Sequence, residues 1–530
     1  MAVDAVSAED ESPVVRGLAG RGDAGAWLPQ RPLRTYVVDL ALGRTEGMPA
    51  EQRPALEEFL AQGEPLRALS SWYGDRLLAL PAAERRRIVD ALNRDIAALD
   101  ALLTAQVNAV LHHPRFQRLE ASWRGIQYLT EQAGTSENVK LRFLQLAWGE
   151  LCRDLERAIE FDQSQLFNKI YSEEFGMPGG EPFGVLIGDY EVHHRRSAEH
   201  PTDDVAALRG ISQVAAAAFA PFIVGAAPAL FGVDRFRDLG IHVDIRANLG
   251  HIDYIRWKSF QSTEDARFIG LTLPHVLMRE PYKDDGSRID GFRFIETAAG
   301  ADHDGYLWGN AGYAFASVLM RAFITYGWFA DIRGAPRDIL AGGIVTELPT
   351  CCFETDAAGI AIRYSTDVAL SEGQDSELSE LGFMALCKCK DTDYSAFFST
   401  QSARTPEKYD RLAATMNARL SSMLQYMFCV ARFSHFIKVI CRDRVGSFTT
   451  AGECQTRLTD WLRDYTLGND DASYEAKAKY PLREAMVQVR DVPGKPGSYA
   501  ATIHLRPHFQ LDQVVTSFRL VTELSTVAAG

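Results

Sequence analysis

The 530 residues carry 46% apolar and 24% charged side chains, globular proportions in a chain long enough for two or three domains. A formal net charge of −14, with no long run of lysine or arginine, argues against general nucleic-acid binding. Eight cysteines (Cys152, Cys351, Cys352, Cys387, Cys389, Cys429, Cys441 and Cys454) form no C-x-x-C pair, which favours reduced thiols in a cytoplasmic protein. No basic, apolar, small-residue leader opens the sequence, so no secretory signal is expected.

Residues 1–32 have almost no periodicity and read as a tail that is disordered or ordered by a partner. Residues 33–82 read as an N-terminal arm. Within it, Leu33 to Leu42 is a short apolar element. It fits a strand with Tyr36, Val38 and Leu40 on one face, or equally a short helix. Pro54 to Leu60 reads as another short helix.

The first strong element is a helix from about Ala83 to Leu111. Ile88, Leu92, Ile96, Leu99, Leu103 and Val107 make one long stripe, continued by Val110, close to heptad spacing. A stripe does not say whose core it enters: its own domain's or a neighbouring subunit's.

The next stretch, His112 to Gly125, reads as a helix stop and a fresh start. Pro114 disfavours helix at His113. Phe116, Leu119 and Trp123 recur at helical spacing and Gly125 can close the turn, so a buried helical corner is expected.

Val139, Leu141 and Phe143 alternate with Lys140 and Arg142, the pattern of a short strand. Helices follow through Leu151 to Ile159 and from Ser164 to Tyr171. A buried strand spans Pro182 to Tyr190, an Ala-rich helix Asp203 to Ala218, and another strand Arg267 to Pro274. A long apolar helix is expected from Tyr306 to about Trp328. Alternating strands and helices indicate an α/β or mixed α+β body with a sheet core.

A composition change at residues 400–408 places a domain boundary there, dividing a core of 83–404 from a C-terminal domain of 405–530. Helices are expected over Tyr409 to Val430, Phe433 to Asp443 and around Trp461. Two terminal strands follow. The first has Tyr499, Ala501, Ile503 and Leu505 on one face; the second, Gln513 to Leu524, contains Val514, Thr516, Phe518 and Leu520. The uncharged run Gly210 to Val233 is broken by Pro221 and Pro228 and reads as a buried helix and turn, not a membrane span.

The search for chemistry is negative. There is no G-x-x-x-x-G-K-[ST], no G-x-S-x-G and no H-E-x-x-H. Asp189, Glu191 and His193 would share a face if their strand continued, beside His194; such a cluster could ligate a metal, but a solvated loop is strongly favoured. Cys387 with Cys389 and Cys351 with Cys352 have neither usual zinc spacing, so buried apolar cysteines are favoured. His435 reads as a core histidine. No catalytic residue, cofactor or metal site is assigned.

Read as strings, several of these stretches resemble the large sheath subunit of type VI secretion systems (the TssC/VipB family). They are HHPRFQRLEASWRG at 112–125, FDQSQLFNKIYSEEFG at 161–176, GGEPFGVLIGDYE at 179–191 and WKSFQSTEDARFIGLTLPHVLMREPY at 257–282. YLWGNAGYAFA at 306–316, GWFADIRG at 327–334, KYDRLAATMNARLSSMLQYMF at 408–428 and RFSHFIKVICRD at 432–443 continue the series, with LRPHFQLD and SFRLVTEL inside 505–524. The resemblance covers about residues 90–527.

The resemblance implies a mechanical part, not an enzyme. Such subunits pair with a small sheath subunit (TssB/VipA type) and polymerise helically around a tube of Hcp rings on a baseplate. They contract to drive the tube outward and are then dismantled by a ClpV-type AAA+ ATPase. Terminal strands join neighbouring subunits, which makes Tyr499 to Leu505 and Gln513 to Leu524 the candidates here. In related proteins the ATPase grips an N-terminal helix. By position Tyr36, Val37, Val38, Leu40 and Leu42 are its counterpart, although residues 1–85 match the family weakly. No membrane insertion is implied. A sheath of another phage-tail-like injection system, or a metal- or cysteine-dependent hydrolase, stands as the alternative.

Overall fold

The computed structural model describes residues Leu33, Val37, 53–73, 82–177, 179–241, 243–286, 291–298, 304–336, 339–351, 353, 363–390, 392, 394–407, 409–443, 450–469, 472–491 and 499–508. It divides into two units. One comprises the chain up to His113 together with Pro281–Thr297; the other comprises Pro114–Glu280 and the chain from Ala298 on.

The first unit is helical. α1 (Arg53–Ala61), α2 (Pro65–Tyr73) and α3 (Ala82–Leu111) surround a small core of Leu33, Trp72, Ile88 and Ala91. Val37, Leu56, Phe59, Leu69 and Leu92 pack on it. Leu33 and Val37 are helical, so the helical alternative holds at those two positions. Trp72 lies 5.0 Å from the Phe59 ring and donates its Nε1–H to the buried Asp95 carboxylate. At the other end of α3, His112 Nε2 is 3.1 Å from Glu296 Oε1, and Glu296 Oε2 accepts from the Tyr282 N–H.

The second unit is built on a six-stranded sheet. β1 (Leu186–Val192), β2 (Phe222–Ala226), β3 (Ile269–Leu273) and β7 (Met384–Lys388) are parallel neighbours in that order. β8 (Ser395–Phe397) and β6 (Ile344–Val345) finish the sheet antiparallel. A separate antiparallel pair joins β4 (Val276–Arg279) to β5 (Leu307–Gly309).

The period of two in these strands feeds two cores. Phe222, Val224, Leu271, Ala385 and Cys387 enter one, with Val205, Leu208, Ile211 and Ala215 of α6 (Asp204–Ala218). Ile223, Met384, Leu386 and Phe397 enter the other, with α7 (Ala311–Tyr326) and α4 (Pro114–Ala133). Both faces are covered, which is why these strands read as continuous apolar runs. The run Gly210 to Val233 resolves into the end of α6, strand β2 and a 3₁₀ turn at Pro228–Phe231. Among the described residues no helix is long and apolar enough to cross a membrane.

Local chemistry sets the ends of α7. Asn310 caps it, its Oδ1 accepting from the Gly312 N–H at 2.7 Å while its Nδ2 donates to the Tyr190 carbonyl at 2.9 Å. Gly327, at φ +76°, closes it. The helix thus starts five residues later than the sequence implies, because Leu307–Gly309 is taken by β5.

The corner at Pro114 is a helix start, with Pro114 its first residue, but its burial is the reverse of the expectation. Ala121, Gly125, Tyr128 and Leu129 face the core, and Phe116, Leu119 and Trp123 are 37%, 56% and 65% exposed. Gly125 does not end the helix; it lets α4 approach α7. A Cβ there would sit 2.5 Å from the Tyr313 ring. Gly125→Ala is expected to lower stability by about 1–3 kcal/mol through overpacking, measured as a reduced urea midpoint.

Two other elements differ. Val139 to Phe143 forms no strand, although Val139 and Leu141 do pack on the core. The alternation is real, but among the described residues no strand pairs with it to complete a ladder. The break between the C-terminal helices falls at Ser422–Met423, between α9 (Leu412–Ser421) and α10 (Leu424–Asp443).

Candidate assembly surfaces

α10 and α11 (Ala451–Arg463) carry the C-terminal hairpin. Trp328, Cys429, Phe433, Ile437, Cys454, Leu458 and Leu462 form a cluster on which the hairpin rests. Trp328 stacks on Phe433 at 4.2 Å and meets Tyr465 edge-on at 5.0 Å. β9 (Leu482–Asp491) and β10 (Tyr499–Pro507) pair antiparallel, with Val489 opposite Ala501, Val487 opposite Ile503 and Ala485 opposite Leu505. Ala485, Val487, Val489, Ile503 and Leu505 face the cluster; Ala501 is exposed. On the other face Met486 is open and Arg506 lies 3.7 Å from Glu484.

The hairpin's two edges are unlike. β9 is engaged on its outer side, where the Leu482 carbonyl accepts from Leu467 N–H at 2.8 Å and Val489 N–H donates to Gln455 Oε1 at 3.0 Å. Among the described residues β10 has no backbone partner beyond β9. A two-stranded ribbon with one free edge is a template for strand addition. The expected strand with Val514, Thr516, Phe518 and Leu520 lies outside the described residues. β9 was not legible as a strand beforehand, although Ala485, Val487 and Val489 alternate with charged and polar neighbours.

The six stripe residues of α3 divide. Ile88 and Leu92 serve the unit's own core, Leu99 and Val107 are half-buried, and Ile96 and Leu103 are 52% and 44% exposed. Tyr36, Val38, Leu40 and Leu42 lie outside the described residues, and Val37 packs inward.

The candidates for chemistry disperse onto separate partners. Ser122 donates to Asp189, whose carboxyl is raised by burial. Glu191 meets His275 Nε2 at 2.8 Å, His194 stacks on Tyr254, and His193 turns to Asp204. Cys387 is buried and its thiol pushed up by desolvation, as is that of Cys389. His435 is a core histidine: Nε2 donates to the Ala218 carbonyl at 2.8 Å and burial lowers its pKa to about 4.

His275 sits between Glu191 and Asp367, 3.0 Å from the latter. Burial opposes charge on the ring, but the two carboxylates outweigh it and hold its pKa up at about 10. The imidazolium's contribution is therefore complete below pH about 6.5 and lost as pH rises through about 10. His275→Gln is expected to cost about 1–3 kcal/mol near pH 6 and progressively less towards pH 10, read from urea midpoints across that range.

The second unit is thus a sheet covered on both faces, with a hairpin whose second strand has no further backbone partner among the described residues. Residues 93–404 match the family model described as EvpB/VC_A0108, tail sheath N-terminal domain (VipB), and residues 413–524 match its tail sheath gpW/gp25-like domain. The chain belongs to this family of type VI secretion sheath large subunits. It is 40% identical over 457 residues to the type VI secretion system sheath protein TssC1 of Pseudomonas aeruginosa PAO1, covering 85% of this chain and 90% of that protein.

Two solved structures are also similar. A chain of the anti-feeding prophage baseplate aligns at 9% identity and TM-score 0.32, over 59% of this chain and 65% of its own. A chain of that prophage's contracted helical sheath aligns at 11% identity and TM-score 0.31, over 59% and 67%.

Proposed function

We propose that this chain works as the large structural subunit of a type VI secretion sheath in the bacterial cytoplasm, without catalysis of its own. It pairs with a small sheath subunit of the TssB/VipA type. The pairs stack by a screw operation on the baseplate, around a tube of Hcp, into an open helical polymer. Contraction is a switch between two packings of the same subunits. Small gains per subunit, summed along the lattice, drive the stroke. Neither nucleic acid nor membrane insertion takes part.

The free edge of β10 is the observation that supports this reading. An extended segment of a neighbour added there keeps subunits tied together while their bodies rotate. Tyr499, Ala501, Ile503 and Leu505 define the receiving strand, and Val514, Thr516, Phe518 and Leu520 belong to the segment that crosses to a neighbour. The open part of α3, from Ile96 to Leu103, is the surface offered to a partner helix. The segment from Tyr36 to Leu42 remains the candidate contact for a ClpV-type ATPase after contraction, with Val37 released from its core when gripped.

Co-expression with the small subunit, followed by negative-stain microscopy, tests the assignment. Hollow ridged tubules are expected only when both chains are present. Tubules from this chain alone would place it among one-chain sheaths, and two chains that never associate would overturn the reading.

A further inference from the structure

We propose that His193, His200 and Asp204 bind one divalent transition-metal ion, of the Zn²⁺ class, that clamps the connection between β1 and α6. The proposal does not depend on assembly. His193 follows the last residue of β1, and Asp204 is the first residue of α6. Their ligand atoms and one nitrogen of His200 all lie within 4.8 Å of one another.

The carboxylate is already oriented. Asp204 is 2% exposed. Its Oδ1 accepts from Trp148 Nε1–H and from the Thr202 hydroxyl, each at 2.7 Å. Its Oδ2 accepts from the His193 backbone N–H at 2.8 Å and lies 2.7 Å from His200 Nε2. This is the outer-shell support that holds a metal-binding carboxylate in place.

The two imidazoles are the unusual part. Their rings stack at 3.9 Å, and both present a nitrogen to the same carboxylate oxygen. His193 Nδ1 stands 3.5 Å from Oδ2, buried and without a hydrogen-bond partner. A buried nitrogen left unpaired is costly.

One cation among the three atoms satisfies all of them. Two imidazole nitrogens and one carboxylate oxygen are a donor set suited to Zn²⁺, with water completing a tetrahedron. Ligand atoms about 2.1 Å from a shared ion are at most about 4.2 Å apart, so the rings have only to turn slightly to meet it. The ion takes the place of the proton on His200 Nε2, and the ring stays neutral by carrying its proton on Nδ1 instead. The bound ion would then tie the end of an edge strand to the start of the helix packed beneath the sheet.

The full-length chain, stripped with chelator and dialysed, would be titrated with Zn²⁺ and with Co²⁺. One ion per chain is expected, with the visible absorption of four-coordinate cobalt and no sulfur-to-cobalt charge-transfer band. The melting temperature should rise with Zn²⁺. His200→Ala and His193→Ala should each weaken binding by about a hundredfold and abolish the thermal shift, each read against that variant's own metal-free melting temperature. Absence of saturable binding would overturn the proposal. So would binding that survives both substitutions, or a charge-transfer band assigning the ion to cysteine thiolates.

Discussion

Glu120→Ala is expected to remove about 1–3 kcal/mol of stability, because it takes away the carboxylate that a buried guanidinium grips. Arg279, on β4, is 8% exposed. Its Nε donates to Glu120 Oε1 at 2.7 Å and its Nη2 lies 3.4 Å from Oε2, a two-pronged contact from sheet to α4. Arg124, one turn on, reaches the same carboxylate only at 3.5 Å. The Glu280 carbonyl also accepts from Nη1, at 3.3 Å.

The pair need not be stabilising for its breakage to be severe, since desolvation of both charges offsets much of their attraction. Replacing both partners with apolar residues of similar size is therefore expected to cost much less than either single loss. A double-mutant cycle with Glu120→Leu and Arg279→Met, followed by urea unfolding, measures this. Additive losses would mean that the two side chains act independently.

Trp328→Ala is expected to cost about 3–5 kcal/mol and to loosen the C-terminal region first. Trp328 is 5% exposed, directly follows Gly327 at the end of α7, and packs against Phe433 and Phe436 of α10 and against Tyr465. It is the point where the apolar helix under the sheet meets the cluster carrying the hairpin. Amide exchange should rise in Leu482–Asp491 and Tyr499–Pro507 before it rises in β2 or β3. A variant that folds but forms no tubules with the small subunit would tie the support of the hairpin to assembly. Uniform exchange across both regions would show that they unfold as one.

The sequence announced some of this well, and the reasons differ by element. α6 was legible from its Ala-rich run and acidic first turn, and α7 from its long apolar run, although Asn310 was read inside α7 and not as its cap. β2 was hidden in an uncharged run, since a strand buried on both faces does not alternate. For α4 the spacing of Phe116, Leu119 and Trp123 was read correctly as helical, but periodicity does not assign a face to the interior. The signal for the buried face was smallness, Ala121 and Gly125 one turn apart, where the Tyr313 ring needs room.

Val139 to Phe143 has the side-chain pattern of a strand and, among the described residues, lacks the neighbour that would make it one. The histidine pair at 193 and 200 was only half visible. His193 was noticed beside Asp189 and Glu191, but its partners come from across the following loop, a distance no local spacing encodes.

The helix face formed by Phe116, Leu119 and Trp123 bears on how a lone copy of the chain behaves. Three large apolar side chains in water, together with the edge of β10 that no described residue covers, give a lone copy two ways to stick to the wrong neighbour. A partner that covers these surfaces would protect the chain from self-association.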